Sequence, residues 1–181
     1  MPVPCKQIFL ATVVLFFCIG AAPAQSTSPT PTPRGPTKPI RPFVVMSAQS
    51  LADLQKKLAG ENKAQDLMGG EGMQLRVAIQ HEKGKPAGPA EVHDASDDVY
   101  YVTEGSATLM LGGTLEAPQE IEPGEWRGAN IIGGKTFDIA KGDLIIVPRG
   151  TPHQRSTANK DFTMILIKVF AEARPPIQAK Q

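Results

Sequence analysis

The pattern of apolar and polar positions changes along the chain from a helical period to a period of two. Three leucines recur at helical spacing within residues 47–59, and Ser47 or Ser50 can cap the start, so this segment is predicted to be one short helix. From residue 75 onward, apolar and polar side chains alternate, beginning with LRVAI. Such alternation is typical of strands with one buried face.

Four further apolar segments have the length of strands, and the first three end in glycine or proline. They are VYYVTEG at 99–105, SATLMLGG at 106–113, LIIVP at 144–148 and FTMILIKVF at 162–170. The first two are expected to form a hairpin, the connection 114–134 to hold one short strand, and FVV at 43–45 to be a further strand. Many short strands with only one helix favour an all-β antiparallel sandwich or barrel.

The N-terminal part of the chain has the pattern of an export signal. Lys6 precedes the apolar run IFLATVVLFFCIG, and APA at 22–24 resembles a signal-peptidase site. The run is shorter than the roughly 20 apolar residues that a transmembrane helix needs. We therefore expect a signal peptide over 1–24, cleaved after Ala24, a periplasmic or secreted mature protein, and no stable membrane insertion.

The rest of the chain divides by composition into a spacer, one domain and a tail. Residues 25–42 are rich in proline and threonine, which favours a flexible linker over a packed structure. Residues 43–174 are expected to form one domain, followed by a tail at 175–181. The charges nearly balance, at 19 basic against 18 acidic residues. The sequence has no run of basic residues of the kind that indicates nucleic-acid binding.

Four side chains that can bind metal lie near the predicted strand ends. Glu91 and His93 are two positions apart and so share one face of a strand, while Asp98 opens the next strand and His153 follows a Pro-x-Gly turn. Imidazole and carboxylate together suit Mn, Fe, Ni, Zn or Cu, and two histidines with one carboxylate match the ligand set of non-haem iron oxygenases. The alternative is a buried histidine hydrogen-bonded to Tyr or Asp.

The turn before His153 resembles the second motif of the cupin family. That motif is Gly, five residues, Pro, any residue, Gly, two residues, His, and it is complete here as Gly142, Pro148, Gly150 and His153. The family's Asn four residues after the His is Thr157 in this chain.

The upstream cluster is similar to the first cupin motif in part. Gly105 matches its glycine and His93 its second histidine, whereas Asp98 stands in place of the glutamate and Glu91 in place of the first histidine. The resemblance covers about residues 75–170.

The resemblance implies a fold and a site. It implies an all-β, cupin-type antiparallel β-barrel (jelly roll) with one short N-terminal helix, in which Glu91, His93, Asp98 and His153 hold a divalent metal ion. Mn, Fe, Zn or Ni would suit this ligand set. The implied functions are metal-dependent chemistry on a small polar molecule, dioxygenase-like or isomerase, or, alternatively, metal-free binding of a small molecule without turnover. A homodimer that uses the N-terminal helix and residues 43–45 is also implied.

Three other residues are candidates for the substrate pocket. Tyr100 shares the parity of Asp98, His81 ends the strand at 75–79, and Trp126 lies in the long connection. The alternatives are a core position for Tyr100, an exposed or structurally bonded His81, and a loop anchor or dimer contact for Trp126. Three arginines are candidates for recognising a carboxylate or phosphate, or else are solvated at turns: Arg127, Arg149 and Arg155.

Overall fold

A computed structural model describes residues 41–174, together with 35–36 and 38–39. The predicted signal peptide and the tail at 175–181 lie outside the described residues. None of the helices in the described part is long and apolar enough to cross a membrane. The elements, in chain order, are α1 (Ala48–Leu58), β1 (Lys63–Met68), β2 (Leu75–Lys83), β3 (Ala90–His93), β4 (Ser96–Leu111), β5 (Thr114–Leu115), β6 (Gln119–Glu122), β7 (Glu125–Gly128), β8 (Ile131–Ile132), β9 (Lys135–Ala140), β10 (Leu144–Val147), β11 (His153–Ser156) and β12 (Asp161–Phe170).

The strands form an antiparallel barrel of two sheets that share β4. The first half of β4 pairs with β10 and with β12, which continues through β2 to β1. Its second half pairs with β9 and with β11, which continues through β3 and β7 to β6. The predicted all-β jelly roll with one short helix is therefore confirmed.

The core lies between the two sheets, towards the middle of β4. Its buried members are apolar or aromatic and come from four strands, β4, β9, β10 and β12. They are Tyr100, Val102, Ala107, Leu109, Ile139, Val147, Phe162, Met164 and Leu166. Because these side chains fill part of the barrel, the remaining interior is free to carry polar groups.

The predicted hairpin over residues 99–113 is wrong. The two segments form the single strand β4, and Gly105 lies at the bend between its two halves with φ of 76°. A Cβ at Gly105 would collide with the carbonyl oxygen of Asp161. The glycine allows β4 to bend and pass from one sheet into the other. It therefore acts as a bulge residue within a strand and does not form a hairpin turn.

Two other predictions differ from the structure. Residues 43–45 form no strand, and Phe43 is 89% exposed. The connection 114–134 contains the four short strands β5 to β8 instead of one. These strands are two to four residues long, too short for periodicity to reveal them.

The helix forms as its sequence pattern predicts. Ser47 caps it, since its hydroxyl oxygen accepts the backbone N–H of Ser50 at 3.0 Å. Leu58 is buried against the sheet, and Gln55 donates to the Thr103 hydroxyl at 2.8 Å. The helix therefore covers part of the outer face of the sheet that contains β2, β4 and β12.

Replacing Gly105 with alanine tests the role of the bend in β4. Gly105→Ala is expected to lower the free energy of unfolding by roughly 2–5 kcal/mol, because the positive φ is strained and the backbone of Asp161 must move. Gly112→Ala is the matched control, since Gly112 has the same φ of 76° but nothing within 4 Å of its added Cβ. Its loss should be about 1 kcal/mol, from strain alone. Urea denaturation measures both, and equal losses would contradict the account.

Candidate metal centre

Inward-facing side chains of both sheets line a pocket of about 410 Å³. Glu91 and His93 of β3, with Asp98 and Tyr100 of β4, form part of its wall. His153 of β11 lies at a smaller adjoining cavity of about 50 Å³, which shares Glu91 and Tyr100 with the larger pocket. The polar residues that the sequence places in three separate segments thus meet inside the barrel.

Strand pairing brings the two histidines to the same place. His153 lies opposite Glu91 in the antiparallel pair of β11 and β3, and the N–H of Gly150 donates to the carbonyl of His93 at 2.8 Å. The imidazole ring centroids are 5.0 Å apart. Glu91, His93 and His153 each offer one ligand atom, and these three atoms lie within 4.8 Å of one another.

An exposed arginine holds the turn that carries His153 in position. Arg149 donates to the carboxylate of Asp97 through its backbone N, its Nε and its Nη2, at 2.8, 3.0 and 2.7 Å. These bonds hold the pKa of Asp97 at about 2. The turn is thus tied to the start of β4 as well as to the end of β3.

The hydrogen bonds of the two imidazoles set their orientation. Nδ1 of His93 lies 2.6 Å from Oε2 of Glu125, and Nδ1 of His153 lies 3.0 Å from the carbonyl of Thr151. Both partners are acceptors, so in each ring Nδ1 is the donor and Nε2 is the nitrogen left to bind a ligand. This is the arrangement by which metal-binding histidines are usually oriented.

The two Nε2 atoms have no hydrogen-bond partner of their own. Nε2 of His153 is buried and unpaired, and Nε2 of His93 lies 3.6 Å from Asp98 and 3.7 Å from Glu91, too far for a hydrogen bond. Burial lowers the pKa of His153, which favours the neutral form that binds metal. The buried group Glu91, His93 and His153 fits a divalent ion, which would satisfy these atoms.

Asp98 lies beside this group and not within it. Its Oδ1 is 2.9 Å from Nζ of Lys168, oriented as an ion pair rather than an aligned hydrogen bond, and its Oδ2 accepts the Tyr100 hydroxyl at 3.2 Å. Burial and the carboxylate of Asp98 raise the pKa of Tyr100 far above its usual range, so the phenol stays protonated. Lys168 therefore competes with any metal for Asp98.

A second buried ion pair lies next to the Tyr100 ring. Arg155 donates to Glu82 through Nε at 3.0 Å and Nη2 at 2.7 Å, and its guanidinium lies 5.4 Å from the centre of the Tyr100 ring. Burial alone would raise the pKa of Glu82, but the hydrogen bonds and charge of Arg155, with help from Lys85, outweigh it and lower the pKa to about 2. The ion pair therefore holds the Arg155 guanidinium against the Tyr100 ring.

The three candidate pocket residues have different positions. Tyr100 lines the pocket and also belongs to the hydrophobic core. His81 does not, because Gln80 and Glu82 point into the barrel and the residue between them must face outward. It lies under α1, with Nδ1 2.8 Å from the Thr163 hydroxyl, which is the structurally bonded alternative.

Trp126 also lies outside the metal-centre pocket. It pairs with Val92 and lines a shallow surface groove, where its Nε1 donates to Asp94 at 2.7 Å. It has the role of a loop anchor, not of a wall of the barrel pocket. On β7, its neighbours Glu125 and Arg127 are the residues that face inward.

Sequence reasoning missed two residues of the centre, Glu125 and Lys168. Glu125 lies directly opposite His93 in the β3–β7 pair, but β7 has only four residues and no clear period. Lys168 lies opposite Asp98 in the β4–β12 pair. A lone lysine in the apolar segment FTMILIKVF was a usable signal, because a charge on a buried strand needs a partner.

Comparison with known proteins finds matches among solved structures alone. No protein-family model matches this chain, and no curated protein sequence matches it. Among solved structures, a Bacillus halodurans protein is 18% identical, over 76% of this chain and 87% of that one, with a TM-score of 0.49. KdgF from Halomonas sp. is 15% identical over 60% and 80%, with a TM-score of 0.43. A cupin superfamily protein from Desulfitobacterium hafniense is 15% identical over 62% and 82%, with a TM-score of 0.42.

The observed strand order and the turn from Gly142 to His153 define the class of protein. The two antiparallel sheets form a jelly-roll barrel, and the turn brings His153 to the inner wall. The domain has the cupin fold.

Proposed function

We propose that this domain binds one divalent metal ion through Glu91, His93 and His153 and acts on or binds a small polar molecule in the adjoining pocket. The pair of Nε2 atoms supports this most strongly. Both imidazoles are oriented through Nδ1, and both leave Nε2 without a hydrogen bond beside the Glu91 carboxylate. Without a ligand, the buried Nε2 of His153 would stay unsatisfied at a cost of about 1–3 kcal/mol.

The ligand set indicates which metals to test. Two imidazoles and one carboxylate suit Mn²⁺, Fe²⁺, Zn²⁺ or Ni²⁺. Such an ion, when bound, supplies Lewis acidity or, for a redox metal, oxygen activation, which is why an isomerase and a dioxygenase-like oxidoreductase are the two enzyme classes proposed. Glu125 and Thr151 orient the imidazoles. Asp98 is the fourth candidate ligand and would have to exchange its ion pair with Lys168 to reach the metal.

The metal content of purified protein tests this proposal. Protein prepared without chelators or affinity metal should contain about one divalent ion per chain by elemental analysis. His93→Ala and His153→Ala should each lose most of it, because either change removes one of three ligands. His81→Ala is the matched control, since the third histidine of the chain lies under α1 and should leave the metal content unchanged.

Two outcomes would contradict it. No metal in the wild-type protein, even after incubation with each of the four ions, would indicate a metal-free binding module. Equal loss of metal in the His81 variant would mean that the bound ion does not occupy the barrel.

We also propose that the protein is exported and forms a homodimer. The export pattern at 1–24 supports the first, and exposed apolar side chains support the second. Phe43 and Val45 are 89% and 85% exposed, and Leu144 and Ile146 on β10 are each 63% exposed. A second copy of the chain that covers these residues would remove them from water.

Protein recovered from expressing cells tests both of these proposals. Mass spectrometry should find a mature chain that begins at Gln25. Light scattering should give twice the mass of one mature chain, and Leu144→Asp should shift the mass towards that of a monomer. A chain that still begins at Met1 would contradict the proposed export. A monomer mass for the wild-type protein would contradict the proposed homodimer.

A further inference from the structure

The structure assigns the ligand of the barrel pocket to a chemical class: we propose that it is a small organic acid whose carboxylate is bound by Arg127. This inference rests on the proposed metal site and specifies what binds next to it. Three observations support it. They are the net charge of the pocket, the partners that its arginines already have, and the apolar part of its lining.

The pocket has more positive than negative side chains. Six basic side chains line it, against four acidic ones. Two carboxylates outside the lining pair with two of these basic side chains, so a divalent ion would supply an excess of two positive charges. Two of the acidic groups are also committed, since Glu91 belongs to the metal group and Glu125 is bonded to His93. An anion that enters the pocket would therefore meet a favourable field.

Two of the three candidate arginines already have carboxylate partners. Arg149 makes three bonds to Asp97 at the surface, and Arg155 makes a two-bond fork with Glu82. Neither can bind a ligand carboxylate in the same geometry without losing its present partner.

The two other arginines of the pocket lining are also engaged. Arg76 bonds to Asp66, and the guanidinium of Arg174 lies over the Phe170 ring.

Arg127 differs from these four. Its one hydrogen bond, from Nη1 to the carbonyl of Trp126, is 3.0 Å long. Nε lies 3.6 Å from Oε1 of Glu91, and Nη1 lies 3.6 Å from Oε2 of Glu125, both beyond hydrogen-bond distance. A guanidinium has five N–H donors, so most donors of Arg127 remain available at the pocket wall, next to a proposed metal ligand.

The rest of the wall accommodates a small carbon skeleton. Met164, Leu166 and Tyr100 form an apolar part of the lining, and a pocket of about 410 Å³ suits a molecule of metabolite size. A carboxylate fits the planar fork of an arginine, and a hydroxyl or keto oxygen beside it is a donor that hard divalent ions prefer. We therefore expect 2-hydroxy or 2-oxo acids to bind, and neutral polyols to bind weakly.

Calorimetric titration of the Zn²⁺-loaded protein tests the inference. The acid probes are glycolate, L-malate and D-gluconate, the neutral probes are glycolamide and glycerol, and the phosphate probe is glycerol 3-phosphate. At least one acid should bind, more tightly than every neutral and phosphate probe. Arg127→Gln should weaken its binding by about tenfold or more, since a charge-assisted fork is lost. Arg41→Gln, the control at an exposed position outside the pocket lining, should change it by less than about twofold.

Zinc content, measured on the same samples, separates this inference from the proposed function. If the protein holds no zinc, the proposed metal site is wrong. If it holds zinc and retains it in the Arg127 variant, any of three results overturns the inference alone: no acid binds, neutral or phosphate probes bind as tightly as the acids, or Arg127→Gln leaves acid binding unchanged. Retention of zinc by the variant also shows that its barrel is intact.

Discussion

The hydrogen bond between the N–H of Gly150 and the carbonyl of His93 is the contact on which the centre depends. It joins the turn that leads to His153 to the end of the strand that carries His93. The bonds from Arg149 to Asp97 fix the same turn to the start of β4. With both fixed, the two rings lie 5.0 Å apart and little freedom remains for their Nε2 atoms.

The polar centre is tolerated because the barrel separates its apolar and polar halves. Apolar side chains such as Val102, Leu109 and Phe162 fill the closed part of the interior, where burial stabilises the fold. In the open part, each buried charge has a partner, as in Glu82 with Arg155 and Asp98 with Lys168. Pairing avoids the cost of an isolated buried charge, which would be several kcal/mol.

The fold could be predicted from the sequence further than the site could. Period-two alternation and the Gly-Pro-Gly-His spacing identified the barrel, and both depend on local backbone geometry. His81 shows where this reasoning fails. It shares a face of β2 with the alternating apolar residues, and that face lies under α1 instead of inside the barrel. Glu125 and Lys168 could not be placed without the register of β3 with β7 and of β4 with β12, which is long-range information. The bend at Gly105 was mistaken for a turn because glycine permits both.

The most direct test of the account is the protonation state of the imidazole nitrogens. Long-range ¹H–¹⁵N NMR correlation at neutral pH, before and after addition of Zn²⁺, reports it for each histidine. The account predicts that Nδ1 of His93 and of His153 is protonated, and that Zn²⁺ shifts the Nε2 signal of both rings while leaving that of His81 unchanged. An Nδ1 without a proton in either ring, or Nε2 signals that do not respond to Zn²⁺, would contradict it.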